Sequence, residues 1–202
     1  MKWALVSGER SQPYPGLQGQ CPTCTTNVIP RCGHIKDWHW AHASGADCDS
    51  WSEPETEWHR SWKNKFPLDC QEVPMGPHRA DIKLPNMVIE LQHSPISPWE
   101  IQDRESFYGN MIWVVDAEQF TMNFDLCQSY GNGAYSFRWK WPRTSWQSAQ
   151  CPIFLDLGHS LFHLKKIHWS GRCRGWGKTI SANSWLQTVS CQPQSRLVYA
   201  VP

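Results

Sequence analysis

Two carboxylates and an amide stand out by type and spacing. Asp81, Glu90 and Gln92 fall in the stretch His78–Ser94, HRADIKLPNMVIELQHS, where apolar and polar residues alternate on both sides of Pro85-Asn86. Alternation bounded by turn residues predicts two half-buried strands joined as a hairpin. Ala80, Ile82 and Leu84 share a face of the first strand, and Met87, Ile89 and Leu91 a face of the second. Pro85 holds φ at about −65°, which suits a four-residue type I loop. If the loop is symmetric about Pro85-Asn86, Asp81 stands opposite Glu90 and Arg79 opposite Gln92. Directly opposed like charges destabilise an antiparallel pair. Two carboxylates there call for a proton, a basic neighbour or a divalent metal between them.

A second group of chemistry-bearing residues lies near the N-terminus. Cys21-Pro-Thr-Cys24 presents two thiols at the spacing of a zinc knuckle, and His39-Trp-Ala-His42 follows. Two histidines three apart share one face of a helix, so the motif reads as the first turn of a helix after a hairpin. Cys21, Cys24, His39 and His42 would close a tetrahedral structural zinc site. Cys32 or Cys48 can replace either histidine, and spacing alone does not choose among them. No strand-helix context of thioredoxin type surrounds the CxxC, which argues against a redox pair.

These residues need elements to position them. Ser52-Glu-Pro-Glu55 fits a capping box with Pro54 in the first turn, and Trp58, Trp62 and Phe66 follow as an apolar stripe until Pro67. On that helix Glu55 falls within the stripe, His59 at its edge, and Glu57 points away. A carboxylate on the buried side faces a metal site or merely caps the helix. Ser97-Pro98-Trp99-Glu100 opens a second helix that runs to Tyr108, with Gly109-Asn110 to end it. Met111-Ile-Trp-Val-Val115 is an apolar run suited to a strand buried on both faces. With a further strand around Cys70 to Pro74, the order is αβββαβ. The last helix returns the chain to a buried strand, as in a right-handed crossover.

In bulk the chain reads as a folded α/β protein, mixed α+β: 202 residues, 40% hydrophobic and 18% charged. No apolar run has the length of a membrane span, and the first residues do not read as a signal peptide, so the expected location is cytoplasmic and no membrane partner is expected. Nine cysteines in such a chain bind metal or stay reduced rather than form a disulfide framework. The net charge of +1 hides an asymmetry. Residues 1–120 hold 10 Lys+Arg against 16 Asp+Glu, and residues 121–202 hold 9 against 2. Within the basic part, Phe137-Arg-Trp-Lys-Trp-Pro-Arg143, Leu164-Lys-Lys-Ile-His-Trp169 and Arg172-Cys-Arg-Gly-Trp-Gly-Lys178 interleave cations and aromatics. That suits either phosphate contact with base stacking or a small β-rich extension packed over the main sheet. Residues 151–157 and 160–164 read as short strands there. Cys173 with Cys127, Cys151 or Cys191 shows no ligand spacing.

Taken together, the CPTC, the HWAH, Glu55-Thr-Glu-Trp-His59-Arg-Ser-Trp-Lys63, Arg79-Ala-Asp81, Val88-Ile-Glu90-Leu-Gln92-His-Ser94 and Arg104–Tyr108 before Ile112-Trp-Val resemble the CoiA-like nuclease family. Through it they resemble the PD-(D/E)XK nuclease fold. The resemblance covers roughly residues 20–117. It implies a zinc-binding N-terminal module (1–50) and a restriction-endonuclease-like αβββαβ core (51–120), and the residues beyond read from their own composition as a basic, Trp-rich, β-rich extension (121–202). It also implies a metal-dependent deoxyribonuclease linked to DNA uptake, recombination or mobile elements. Asp81 and Glu90 would hold magnesium or manganese, completed by Glu55 or Glu57, with Gln92 orienting a water and His59 close by. Gln92 stands where the fold usually has lysine. Glutamine can position a water but carries no positive charge, and His59, His93, Lys63 or Lys83 are the candidates to replace it. The expected partners are DNA and recombination- or phage-related proteins, with a homodimer left open. The alternative is a non-catalytic DNA-binding adaptor that keeps the fold and the zinc module.

Overall fold

The structure, a computed structural model, describes residues 1–35, 37–43, 48–169 and 173–190. Arg172 and Cys191 lie outside the described residues. The chain forms two compact units, Met1–Pro54 with Phe66–Lys83, and Glu55–Lys65 with Leu84–Pro202.

The first unit is built on an antiparallel sheet. Its strands are β1 (Ala4–Val6), β2 (Glu9–Ser11), β3 (Gly19–Gln20), β4 (Asn27–Arg31) and β5 (His39–His42), in the order β2-β1-β3-β4-β5. Ser7 and Gly8 join β1 to β2 with φ of 53° and 85°. Two successive positive φ values give a primed turn, whose twist matches that of the strands it joins. Ala4, Cys21, Val28 and Trp40 form the core, and Trp40 Nε1 donates to the Ser11 carbonyl at 3.0 Å. HWAH is therefore a strand, not the helical turn expected from its histidine spacing. Its buried tryptophan pairs across the sheet, Pro30 opposite Trp40, and that tertiary packing overrides the i, i+3 signal. The unit also contains β6 (Gln71–Met75), paired antiparallel with β7 (His78–Leu84), Val73 opposite Ala80. On β7, Ala80, Ile82 and Leu84 are buried while Arg79, Asp81 and Lys83 are half-buried, the expected alternation.

The second unit opens with α1 (Glu57–Lys63). The predicted cap at Ser52–Glu55 is corrected. Thr56 is extended (φ −94°, ψ 169°), its hydroxyl accepts from the His59 backbone N–H, and His59 Nδ1 accepts from the Thr56 backbone N–H at 3.2 Å. This is a capping box with histidine in the usual Glu/Gln place. Pro54 disfavours the helical region for Glu53, which delays the helix past the earlier signal. Glu55 consequently precedes the helix instead of lying on its stripe.

The remaining elements are β8 (Met87–Gln92), α2 (Pro98–Tyr108), β9 (Met111–Asp116), β10 (Phe124–Gly131), β11 (Ala134–Trp139), β12 (Ile153–Asp156), β13 (Leu161–His168), β14 (Cys173–Ile180) and α3 (Ala182–Ser190). Within this unit the strands run in the order β10-β11-β14-β13-β12-β9-β8. β8, β9 and β12 are parallel neighbours, with Glu90 beside Trp113 and Asp116 beside Asp156. α2 is the crossover that parallel pairing of β8 and β9 requires. Its Ser97 cap, Pro98 start and Gly109 stop (φ 69°) are those expected. Every residue of β8 and β9 is buried. For β9 this was expected; for β8 the predicted polar face of Val88, Glu90 and Gln92 is covered as well.

Along the chain the order α1, β6, β7, β8, α2, β9 reproduces αβββαβ. Between β11 and β12 the segment around Trp146 packs against Trp113 of β9, ring centroids 5.2 Å apart, whereas β10 to β14 do not form a layer over the sheet. They extend it edgewise, through the β9–β12 pairing and then β13, β14, β11 and β10. Phe124, Phe137 and Phe162 fill one face there, with ring centroids 5.0 to 5.7 Å apart.

Candidate metal centre and carboxylate residues

Cys21 and Cys24 stand on a tight turn between β3 and β4. The turn is closed by Cys21 N to Thr26 O (2.8 Å) and Thr25 N to Cys21 O (2.9 Å), with Thr25 at φ 61°. His42 ends β5 opposite Val28, and Cys48 comes back to the turn. The donor atoms of Cys21, Cys24, His42 and Cys48 all lie within 4.8 Å of one another. Cys21 Sγ is 3.6 Å from Cys48 Sγ, and Cys24 Sγ is 3.3 Å from His42 Nε2. A tetrahedral zinc ion spaces two sulfurs by roughly 3.8 Å and a sulfur and nitrogen by roughly 3.5 Å. The set therefore fits such an ion in both donor type and spacing.

His39 is not part of it. In a strand, residues three apart point to opposite faces, so His39 and His42 cannot meet one ion. His39 Nδ1 instead donates to the Asp37 carbonyl at 2.9 Å, and Cys48 takes the fourth place. Cys32 also lies outside the set.

The thiols carry the electrostatic signature of an anionic site. Burial opposes a Cys24 thiolate. The Thr26 hydroxyl and backbone N–H, then His42 and Cys48, outweigh that and bring the thiol down to about 6. Cys48 is pushed up to about 12, by burial first and then by its contacts with Cys21 and Cys24. One negative sulfur thus suppresses ionisation of its neighbour. A bound dication would reverse this by holding every sulfur as thiolate.

Asp49 follows Cys48 directly. Its buried carboxylate accepts from His78 Nδ1 (2.9 Å), the Arg79 backbone N–H (2.9 Å) and the Trp51 backbone N–H (3.0 Å). Arg79 is half-buried. Burial lowers its pKa, but the carboxylates of Glu72, Asp49 and Asp81 together raise it above the ordinary arginine value. Asp81 is half-buried on β7, on the face it shares with Arg79 and Lys83.

In the second unit Glu90 and Gln92 sit two apart on one face of β8, both buried. Glu90 Oε2 accepts from Arg104 Nη1 of α2 at 2.8 Å, and Gln92 Nε2 donates to the Ser94 carbonyl at 3.0 Å. Glu55 pairs with Lys63 Nζ at 3.2 Å, and Glu57 is exposed at the first position of α1. His59 is buried, its ring 5.9 Å from that of His93. His93 Nδ1 donates to Asp116 Oδ2 at 2.7 Å, and its Nε2 accepts from Gln119 Nε2 at 3.0 Å. Asp156 on β12 accepts from the indoles of Trp58 (2.8 Å) and Trp62 (2.7 Å), which anchors α1. The roles of Arg104 toward Glu90, of Asp116 toward His93 and of Asp156 toward the two indoles escaped the sequence reading because these partners are 14 or more residues apart. The tryptophan pair at i, i+4 was the visible trace of Asp156.

A β-turn carrying CxxC, closed by a strand histidine and a returning cysteine, defines a small Cys3His metal-binding module. Residues 18–50 match the family described as Competence protein CoiA, N-terminal domain. No curated protein and no solved structure matches the chain. No helix among the described residues is long and apolar enough to cross a membrane.

Proposed function

We propose that the chain is a metal-dependent deoxyribonuclease whose CoiA-like N-terminal domain is held by a structural zinc ion. The observation that carries the reading is the αβββαβ order with its acids on successive strands, Asp81 on β7 and Glu90 with Gln92 on β8. The competence description of the N-terminal family is in keeping with DNA as the substrate of this reading. The oxygen donors of Asp81 and Glu90 suit magnesium or manganese, which would supply charge neutralisation at the scissile phosphate and an activated water. Gln92 orients that water with its amide, and Glu55, on the chain just before α1, is the further carboxylate.

One observation favours a second reading, a DNA-binding adaptor without catalysis. The buried ion pair between Arg104 and Glu90 already neutralises the glutamate without a metal. Incubating the purified chain with single-stranded and duplex DNA, with and without manganese, separates the two. The nuclease reading expects manganese-dependent cleavage that falls at least about a hundredfold in Asp81→Ala and Glu90→Ala, with the circular dichroism unchanged. Equal cleavage by wild type and both variants, or binding with no cleavage in any condition, sinks it.

A further inference from the structure

β13 carries an irregularity that concentrates positive charge. Its register with β14 shifts between Leu164 and Lys166, so one extra residue is accommodated and Lys165 and Lys166 are both exposed. In an unbroken strand successive side chains alternate, and one of the two lysines would enter the aromatic core. The partner strand permits the shift because Gly175 and Gly177 lie beneath it. A Cβ at Gly175 would stand 1.9 Å from the Lys166 carbonyl oxygen, and one at Gly177 would stand 2.4 Å from that of His163.

This side runs across three strands in rows, exposed at Arg138, Lys166, His168, Arg174, Trp176 and Lys178 and closed at His163, whose ring stacks on the buried Phe154 at 4.2 Å. Ser136, Trp176 and Lys166 form one; Arg138, Arg174 and His168 a second; Ala134, Lys178 and His163 a third. Trp176 is 40% exposed in the middle of this surface. The opposite side of the same strands is core, with Phe137 and Phe162 packed over the two glycines. The cations press on one another. Burial, then Lys165 and Lys178, push His163 down to about 4, and burial with Lys178 lowers Lys165. At one corner Asp125 lies across from Arg138. A polyanion laid along the rows removes this repulsion. An indole at the centre favours one whose bases are free to stack, a condition met by a single strand and not by a duplex.

We propose that the exposed face of β11, β14 and β13 is a binding platform for single-stranded nucleic acid, with Trp176 stacking a base and Lys165, Lys166, Lys178 and Arg174 contacting phosphates. The platform requires no cleavage chemistry, so it stands or falls apart from the nuclease reading.

Fluorescence anisotropy of the full chain with a labelled oligothymidylate of about 15 nucleotides, without added magnesium or manganese, tests it. The wild type is expected to bind more tightly to this strand than to a duplex of equal length. Trp176→Ala should weaken binding at least about fivefold, and Trp176→Phe should retain most of it. The double variant Lys165→Ala/Lys178→Ala should weaken binding about tenfold or more and reduce the salt slope by about 1.4. Arg31→Ala, an exposed charge in the first unit, should change neither. Absence of binding, equal affinity of wild type and Trp176→Ala, or an equal loss in Arg31→Ala overturns the proposal. So does competition by poly-glutamate as effective as that by unlabelled oligothymidylate. Matching melting temperatures establish that each variant is folded, and the omission of magnesium and manganese separates this result from any failure of catalysis.

Discussion

His39 and Cys48 show how one side chain decides a metal site. A tetrahedral ion accepts donors only from directions that the backbone can supply, and the strand geometry of residues 39–42 supplies His42 and withholds His39. Cys48→Ser should therefore abolish stoichiometric zinc in the purified chain, measured by elemental analysis, whereas His39→Ala should keep it. Retention of zinc by Cys48→Ser, or its loss in His39→Ala, contradicts the assigned set. At the same scale, Arg104 places a permanent charge against Glu90 in a buried setting, and α2 is thereby tied to β8. The exposed Glu57 stands at the first position of α1, where an acid interacts favourably with the helix N-terminus.

Elements divide according to whether their signals are local. α2 was legible because Ser97, Pro98 and Gly109 fix its ends within one stretch of chain, and β9 because an unbroken apolar run has few alternatives. β7 kept its alternation for the same reason. β5 was misread because two histidines three residues apart carry no information about strand pairing. The start of α1 was misread because two capping signals compete, and the restriction that Pro54 places on Glu53 decides between them. The bulge in β13 was not legible at all. Two adjacent lysines reveal it only once the glycines of β14 are known to lie beneath. That dependence yields a prediction. Gly175→Ala forces the new methyl group against the Lys166 carbonyl and the Phe137 ring, and should cost about 1–3 kcal/mol in urea denaturation. A variant as stable as the wild type would show that the close approach between β13 and β14 relaxes freely.

For the whole molecule, the sequence displayed the separation of charge between the acidic residues 1–120 and the basic remainder, but not the edgewise growth of the sheet that carries the basic part. Strand order is set by pairing between remote segments, and a single sequence holds no record of which edges meet. The basic part also sets a pH dependence. His163 is pushed down to about 4 in the folded chain, while an unfolded histidine titrates at about 6.5. The unfolded state therefore binds more protons between these values. The stabilisation is fully present above about pH 6.5 and disappears progressively as the pH falls toward about 4, with an upper bound of ~3 kcal/mol. Urea denaturation between about pH 4 and 7 should show this acid limb in the wild type and a shallower one in His163→Asn. Parallel limbs would assign the acid sensitivity to other groups.

The succession of Cys48 and Asp49 has a mechanical meaning. An ion that grips the sulfur of Cys48 also removes the play from the next residue, whose carboxylate clamps His78 and the backbone of Arg79 at the entrance to β7. Asp81 is two residues further along that strand. A zinc ion held by the Cys3His set would thus steady the start of β7, the strand that carries Asp81, as well as the turn that carries the thiols.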